Sequence, residues 1–220
     1  MNLAEPIKKT RDLEKIKRYY KDIHPNPRNE LLIILGLNTA LRISDILALR
    51  WQDVYDFEQK NYKNHINIVE QKTGKTTQIY INNSVLEALH EYKAYLKQKK
   101  HRIEKDSFLF SHSNKNIPIS RVQAFRIIKN AAEDSNISGV ISCHSLRKTF
   151  GYHQMVMGGN DPRKLLLLQK IFGHSTSAQT LEYIGITNEE IEAAYTNLNL
   201  GSKNCYASFS RIGERQEDLA

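Results

Sequence analysis

The sequence predicts an α+β domain, mainly α-helical with a small antiparallel β-sheet, and three observations carry that reading. Residues 31–49, LLIILGLNTALRISDILAL, are apolar and helix-rich, with one glycine and no proline. The period drops to two over HINIVEQ and TTQIYIN, where Ile66, Ile68, Ile79 and Ile81 alternate with polar residues. Helical spacing then returns in VLEALHEYKAYLKQKK, whose apolar positions are Val85, Leu89, Tyr92 and Leu96.

Taken in order, residues 1–30 form a short basic N-terminal segment (Lys8, Lys9, Arg11, Lys15, Lys17, Arg18), with a brief helix closed by Pro25 and Pro27. The 31–49 stretch reads as two helices or one interrupted helix. Lys72-Thr73-Gly74-Lys75 joins the alternating segments into a β-hairpin turning at Gly74. Ser84 is expected to cap the following helix, whose Lys93, Lys97, Lys99 and Lys100 read as a solvated face. Ser120 opens a further helix carrying Arg121, Arg126 and Lys129. Residues 142–157 form another, ended at Gly158-Gly159, and Asp161-Pro162 starts the next. Thr187 with Glu190 predicts a capping box for a last helix to about Leu198. One main domain is thus expected over 31–200, and a polar tail over 201–220.

Composition narrows the function. Hydrophobic residues are 40% and charged ones 25%, as in soluble globular proteins. The net charge of +8 favours a polyanion as partner. Two cysteines, Cys143 and Cys205, are too few for a disulfide framework and point to a reducing cytoplasmic setting. Met1 to Thr10 has no apolar signal-peptide core, and no apolar run approaches a membrane span.

The familiar catalytic motifs are missing: no GxxxxGK[ST], no GxGxxG, no HExxH and no two-metal carboxylate cluster. Asp45, Asp53 and Asp56 are spread over a helix and the loop after it. No cofactor and no metal is therefore expected. What stands out is cationic and aromatic. His144 and Arg147, at i and i+3, project from one helical face. Gly173-His174 follows an apolar helix, and Tyr183 comes nine positions later. Arg42 sits in an apolar helix, where a charge is costly unless something anionic meets it. Lys72 stands at the hairpin turn.

Singly, each has an ordinary structural reading: a core tyrosine, a chance HxxR, a turn lysine, an ion-paired arginine. Together they fit phosphoryl transfer to a tyrosine. Two arginines can clamp a phosphodiester's oxygens bidentately and stabilise the crowded transition state. A tyrosine hydroxyl becomes a useful nucleophile beside such cations. Histidine and lysine can move the protons.

Here the sequence resembles the tyrosine recombinase (phage integrase) family. TALRISDILALRWQDV looks like its first arginine box, EQKTGKTTQIYI like its lysine hairpin, CHSLRKTFG like its H-x-x-R box, and LLQKIFGHSTSAQTLEYIG like its closing histidine-and-tyrosine box. The four occur in family order over residues 31–186. The resemblance implies the tyrosine recombinase catalytic-domain fold, with Arg42 and Arg147 as phosphate clamps and Tyr183 as nucleophile. Lys72 would be the general acid, with Lys75 competing for that role. His144 would be a proton acceptor or hydrogen-bond donor, and His174 a phosphate-contacting donor. Asp45 would support the site histidine. The implied activity is site-specific recombination of double-stranded DNA through a 3′-phosphotyrosyl link, without metal or ATP. The implied assembly is a monomer when free and a homo-tetramer on DNA. Two other readings stand beside it: a type IB topoisomerase-like nicking-closing enzyme, and a truncated recombinase acting as a DNA-binding or partner module. Family members carry a helical core-binding domain ahead of the catalytic one. About thirty residues precede the helix with Arg42 here, so strand exchange by this chain alone is not expected.

Overall fold

Helix formation begins well before residue 31. Helix α1 (Thr10–Arg18) runs on into a π-helical turn (Tyr19–Ile23), and Pro27 opens α2 (Pro27–Thr39) instead of closing what precedes it. Proline is tolerated there because the first helical N–H has no partner anyway. Asn26 caps the new helix by accepting from the Asn29 amide at 3.2 Å. The polar start of the chain therefore hides an apolar face: Ile16, Tyr19 and Tyr20 are buried with Ile33, Leu37, Ile128 and Ala131.

The structure, a computed structural model, describes residues 4–69, 74, 76–112, 115–157, 159, 161, 163–185 and 195–196. Lys72, Lys75, the expected capping box at Thr187 and Glu190, the helix expected to end near Leu198 and the tail lie largely or wholly outside them. Residues up to Gly185 gather into one compact unit.

Helix α2 is buried on nearly every face from Asn29 to Leu37, as expected of a helix apolar all round. It packs against α5 (Asn83–Gln98) and α7 (Cys143–Met157). Its end supplies the interruption that the sequence suggested. Ala40 takes a left-handed conformation (φ 55°), a cost of about 1–2 kcal/mol for a residue with a Cβ. The chain then restarts as α3 (Ile43–Ala48), followed by a short α4 (Trp51–Val54).

The strands form three separate antiparallel pairs among the described residues: β1 (Tyr55–Asp56) with β2 (Asn61–Tyr62), β3 (His65–Val69) with β4 (Thr76–Tyr80), and β5 (Ser111–His112) with β6 (Lys115–Pro118). The β3–β4 hairpin has the alternation read from sequence, with Ile66 opposite Ile79 and Gly74 at φ 66° beside the turn. Ile66 is buried in the main core. Helix α5 is capped by Asn82, not Ser84. The extended backbone at Asn82 lets its side chain accept from the Val85 amide at 3.1 Å, which leaves Ser84 inside the first turn. Ser120 caps α6 (Arg121–Asp134), the helix it was expected to open, and does so in a reciprocal box with Gln123 that the sequence reading did not specify.

Helix α7, α8 (Arg163–Phe172) and α9 (Ser177–Ile184) complete the unit. Two glycines let α7 approach its neighbours closely. A Cβ on Gly36 of α2 would lie 2.5 Å from Leu146 Cδ1. One on Gly151 of α7 would lie 2.6 Å from Ile184 Cγ2 and 2.7 Å from Phe172 Cζ.

The extended residues 5–8 form a strap across α7. The Glu5 amide donates to the Val140 carbonyl (3.0 Å) and the Ile7 amide to Thr149 Oγ1 (2.8 Å). The Ile7 carbonyl accepts from His153 Nε2 at 2.9 Å, and the Ile7 side chain is buried. Pro6 lies against the end of α9, so close that a Cβ on Gly185 would meet its Cγ at 3.0 Å. No helix among the described residues is long and apolar enough to cross a membrane.

Candidate active site

The left-handed turn at Ala40 redirects the chain so that Arg42 becomes the N-cap of α3, with extended backbone. Its carbonyl accepts the amides of Asp45 (2.9 Å) and Ile46 (3.0 Å). Asp45, in the first turn of α3, is buried. Arg147 comes from α7 and is only 5% exposed, which is rare for an arginine. Its Nη2 donates to the Phe172 carbonyl at 3.2 Å, and its guanidinium carbon lies 5.1 Å from the Phe172 ring centre.

Phe172 ends α8. Gly173, at φ 68°, turns the chain in a conformation that suits glycine, and His174 follows. His174 Nδ1 stands 3.1 Å from Thr180 Oγ1, which ties the loop to α9. Three positions beyond Thr180, on the same helical face, is Tyr183. Its ring lies 5.0 Å from that of His174 and 5.2 Å from that of Phe172, both edge-to-face. Phe172 and His174 are themselves 5.3 Å apart, so the three rings form one cluster.

Electrostatics join these groups. Burial pushes the Tyr183 phenol above its ordinary pKa, while Arg147 and Arg42 pull it back. Burial, then Arg147 and Arg42, hold the His174 imidazole below its ordinary value. His144, at the surface of the first turn of α7, is also held low, by partial burial and then by Arg147, Lys148, Arg121 and Arg42. Arg147 and Arg42 thus act on His144, His174 and Tyr183 alike.

Arg42, Asp45 and Arg147 line a cleft of about 630 Å³, walled by Thr76–Tyr80 of β4 and by Leu167, Lys170 and Ile171 near α8. Lys72 and Lys75 fall in the stretch leading into that strand. Among the described residues no group of three or more His, Cys, Asp or Glu side chains could hold a metal ion.

Tyr152, Tyr195 and Tyr206 are the other tyrosines that could compete as nucleophile. Tyr152 lies beneath Lys8, 5.3 Å from its ammonium, Tyr195 is exposed, and Tyr206 is outside the described residues. Sequence reasoning missed Lys148, Thr180 and Phe172. Lys148 Nζ lies 5.2 Å from the Tyr183 ring centre. Its neighbour Arg147 points elsewhere, as adjacent helical residues do, so only the docking of α9 reveals the contact. Thr180 had a usable signal, its three-residue spacing from Tyr183.

The sequence profile described as the phage integrase family matches residues 10–190. The chain belongs to this family. Among curated members of phage integrase type, it is 35% identical over 195 residues to a probable integrase/recombinase, YoeC, of Bacillus subtilis (strain 168), covering 89% of this chain and 97% of that one. It is 26% identical over 201 residues to tyrosine recombinase XerA of Pyrococcus furiosus, covering 90% of this chain and 64% of that one. Solved structures show the same fold. A crystal structure of XerA recombinase matches with a TM-score of 0.65 at 18% identity, over 89% of this chain and 64% of that one. XerH site-specific recombinase, bound to its palindromic difH substrate in a post-cleavage complex, also gives 0.65, at 19% identity over 89% of this chain and 52% of that one. The α+β, mainly helical fold expected from sequence is thus the tyrosine recombinase catalytic fold, and the chain spans only half to two thirds of these Xer proteins.

Proposed function

We propose that this integrase-family chain is a site-specific DNA strand transferase of the tyrosine recombinase type. In this reading Tyr183 Oη attacks a backbone phosphorus of double-stranded DNA. The Oη–P bond forms as the P–O5′ bond breaks, which gives a 3′-phosphotyrosyl link and a free 5′ hydroxyl. Arg42 and Arg147 hold the non-bridging oxygens and stabilise their charge. His144 accepts the phenol proton, His174 donates to the phosphate, and Lys72 (Lys75 in competition) protonates the leaving oxygen. Asp45, buried three residues after Arg42 and lining the same cleft, supports the site histidine. The link conserves the phosphodiester's energy, so rejoining is the reverse step and needs neither ATP nor metal.

The observation that carries this reading is the placement of Tyr183 in the field of both arginines, against His174. The net charge of +8 suits a DNA partner. The names of the relatives favour exchange between sites over topoisomerase-like relaxation. We further infer a monomer when free, a homo-tetramer on DNA, and action in the cytoplasm. Incubation with a nicked suicide duplex, read on a denaturing gel, tests the chemistry. A covalent adduct is expected with EDTA present and none from Tyr183→Phe. An adduct from the Phe variant would transfer the role to another tyrosine.

A further inference from the structure

Tyr183 stands on α9, which among the described residues buries few side chains. Of the residues of α9 only Thr180 and Ile184 are buried. A nucleophile for in-line attack must be held near its reactive geometry, because small misplacements are costly in rate. Two of the ring's neighbours, Phe172 and His174, belong to α8 and the loop after it. The third comes from the core: Lys148 of α7, half-buried, with Nζ 5.2 Å from the ring centre.

We propose that Lys148 is a positioning residue for Tyr183, its ammonium over the phenol ring pinning the ring to α7. A cation over an aromatic face is attracted by the ring's quadrupole, the more so when desolvated. Glu182, beside Tyr183 on α9, and Glu5 of the strap are the carboxylates whose fields act on Lys148. Burial lowers the Lys148 pKa and the two carboxylates oppose that. The other charged or titratable groups that act on Tyr183 are Arg147 of α7 and Arg42 ahead of α3. These two pull the phenol's pKa back down, whereas Lys148 lies over the ring face, 5.2 Å from its centre.

This inference rests on Tyr183 as the nucleophile, and the test separates the two. Lys148→Met keeps the length and apolar stem but removes the charge. Lys148→Gln repeats the loss with a polar end, and Lys148→Arg restores a cation. Each full chain is assayed for single-turnover adduct formation on the suicide duplex, for duplex affinity by gel shift and for thermal unfolding, with Tyr183→Phe alongside. The Met and Gln variants should form adduct about tenfold more slowly at unchanged affinity, and the Arg variant should stay within about threefold of the parent. Parent-like rates in both neutral variants would overturn the proposal. So would equal damage by Arg and Met, which means packing, or affinity falling in step with rate, which means a DNA contact. Adduct from Tyr183→Phe would instead sink the assignment of the nucleophile.

Discussion

Arg147 and Tyr183 meet in one site but stand on ground of different quality. Helix α7 lies between α2 and the α8–α9 pair, and around Arg147 it buries Ser145, Leu146, Thr149 and Gly151. Among the described residues the two core clusters draw on every helix from α1 to α7 and include nothing from α8 or α9. Helix α8 leaves Leu166 and Leu167 62% and 50% exposed and buries only Leu168 and Phe172. The difference matches two chemical needs. Charges that stabilise a transition state work best when already fixed, since nothing then has to reorganise. A nucleophile that attacks, stays attached and is displaced again needs an element whose local opening is cheap.

The largest expected effect falls on the fixed half. Arg147→Lys should slow cleavage by a factor on the order of 10²–10³, nearly as much as Arg147→Ala, because an ammonium cannot reproduce the planar fork. Duplex affinity should change far less, and a Lys variant cleaving at near the normal rate would reduce Arg147 to a general positive charge. Next comes a contrast between the two close approaches. Gly36→Ala strikes Leu146 inside the core, and Gly151→Ala strikes Phe172 and Ile184. Each should cost about 1–3 kcal/mol of overpacking, against about 1 kcal/mol gained in helix propensity. Gly36→Ala should show mainly in global unfolding. Gly151→Ala should show mainly in slower adduct formation and faster amide exchange in α9. Parallel losses in both variants would mean that the halves are equally rigid.

Thr180→Val removes the hydroxyl that holds His174 Nδ1. A lost hydrogen bond of about 1 kcal/mol predicts roughly fivefold slower cleavage, measured at saturating duplex. The smallest effect is on stability against pH. His174 is held below its ordinary value by burial and by two arginines, so the folded chain resists its protonation. Below a pH of about 6.5 the unfolded chain takes up that proton more readily, and stability falls as pH drops through this window. His174→Asn should flatten the decline in denaturant midpoint between about pH 7.5 and 5.5, and an unchanged slope would remove His174 as its source.

How much of this was legible depended on whether local sequence or distant packing decided the outcome. The β3–β4 hairpin and the helix opening at Ser120 follow from period and residue type alone, and both were readable. The cap of α5 was not, because Asn82 and Ser84 are both good caps and the backbone conformation selects between them. Pro27 read as a stop because a proline suits either side of a boundary. The strap was invisible because it buries a single isoleucine, too little to register as a pattern. Arg42, His144, Arg147, His174 and Tyr183 were singled out as candidates by residue type and spacing, and their proposed roles came from the family resemblance. Lys148 was not, since its meaning comes only from α9.

The strap also bears on where this domain starts. The family match opens at residue 10, and a boundary drawn there would look natural, since the residues ahead of it are short and polar. Cutting at that point would take from Thr149 the Ile7 amide that its hydroxyl accepts, and from His153 the Ile7 carbonyl. It would also remove Pro6 from Gly185, two residues beyond the tyrosine. The edge drawn by similarity and the edge drawn by packing differ by a handful of residues, and those few lie across α7 and against the end of the helix that carries Tyr183.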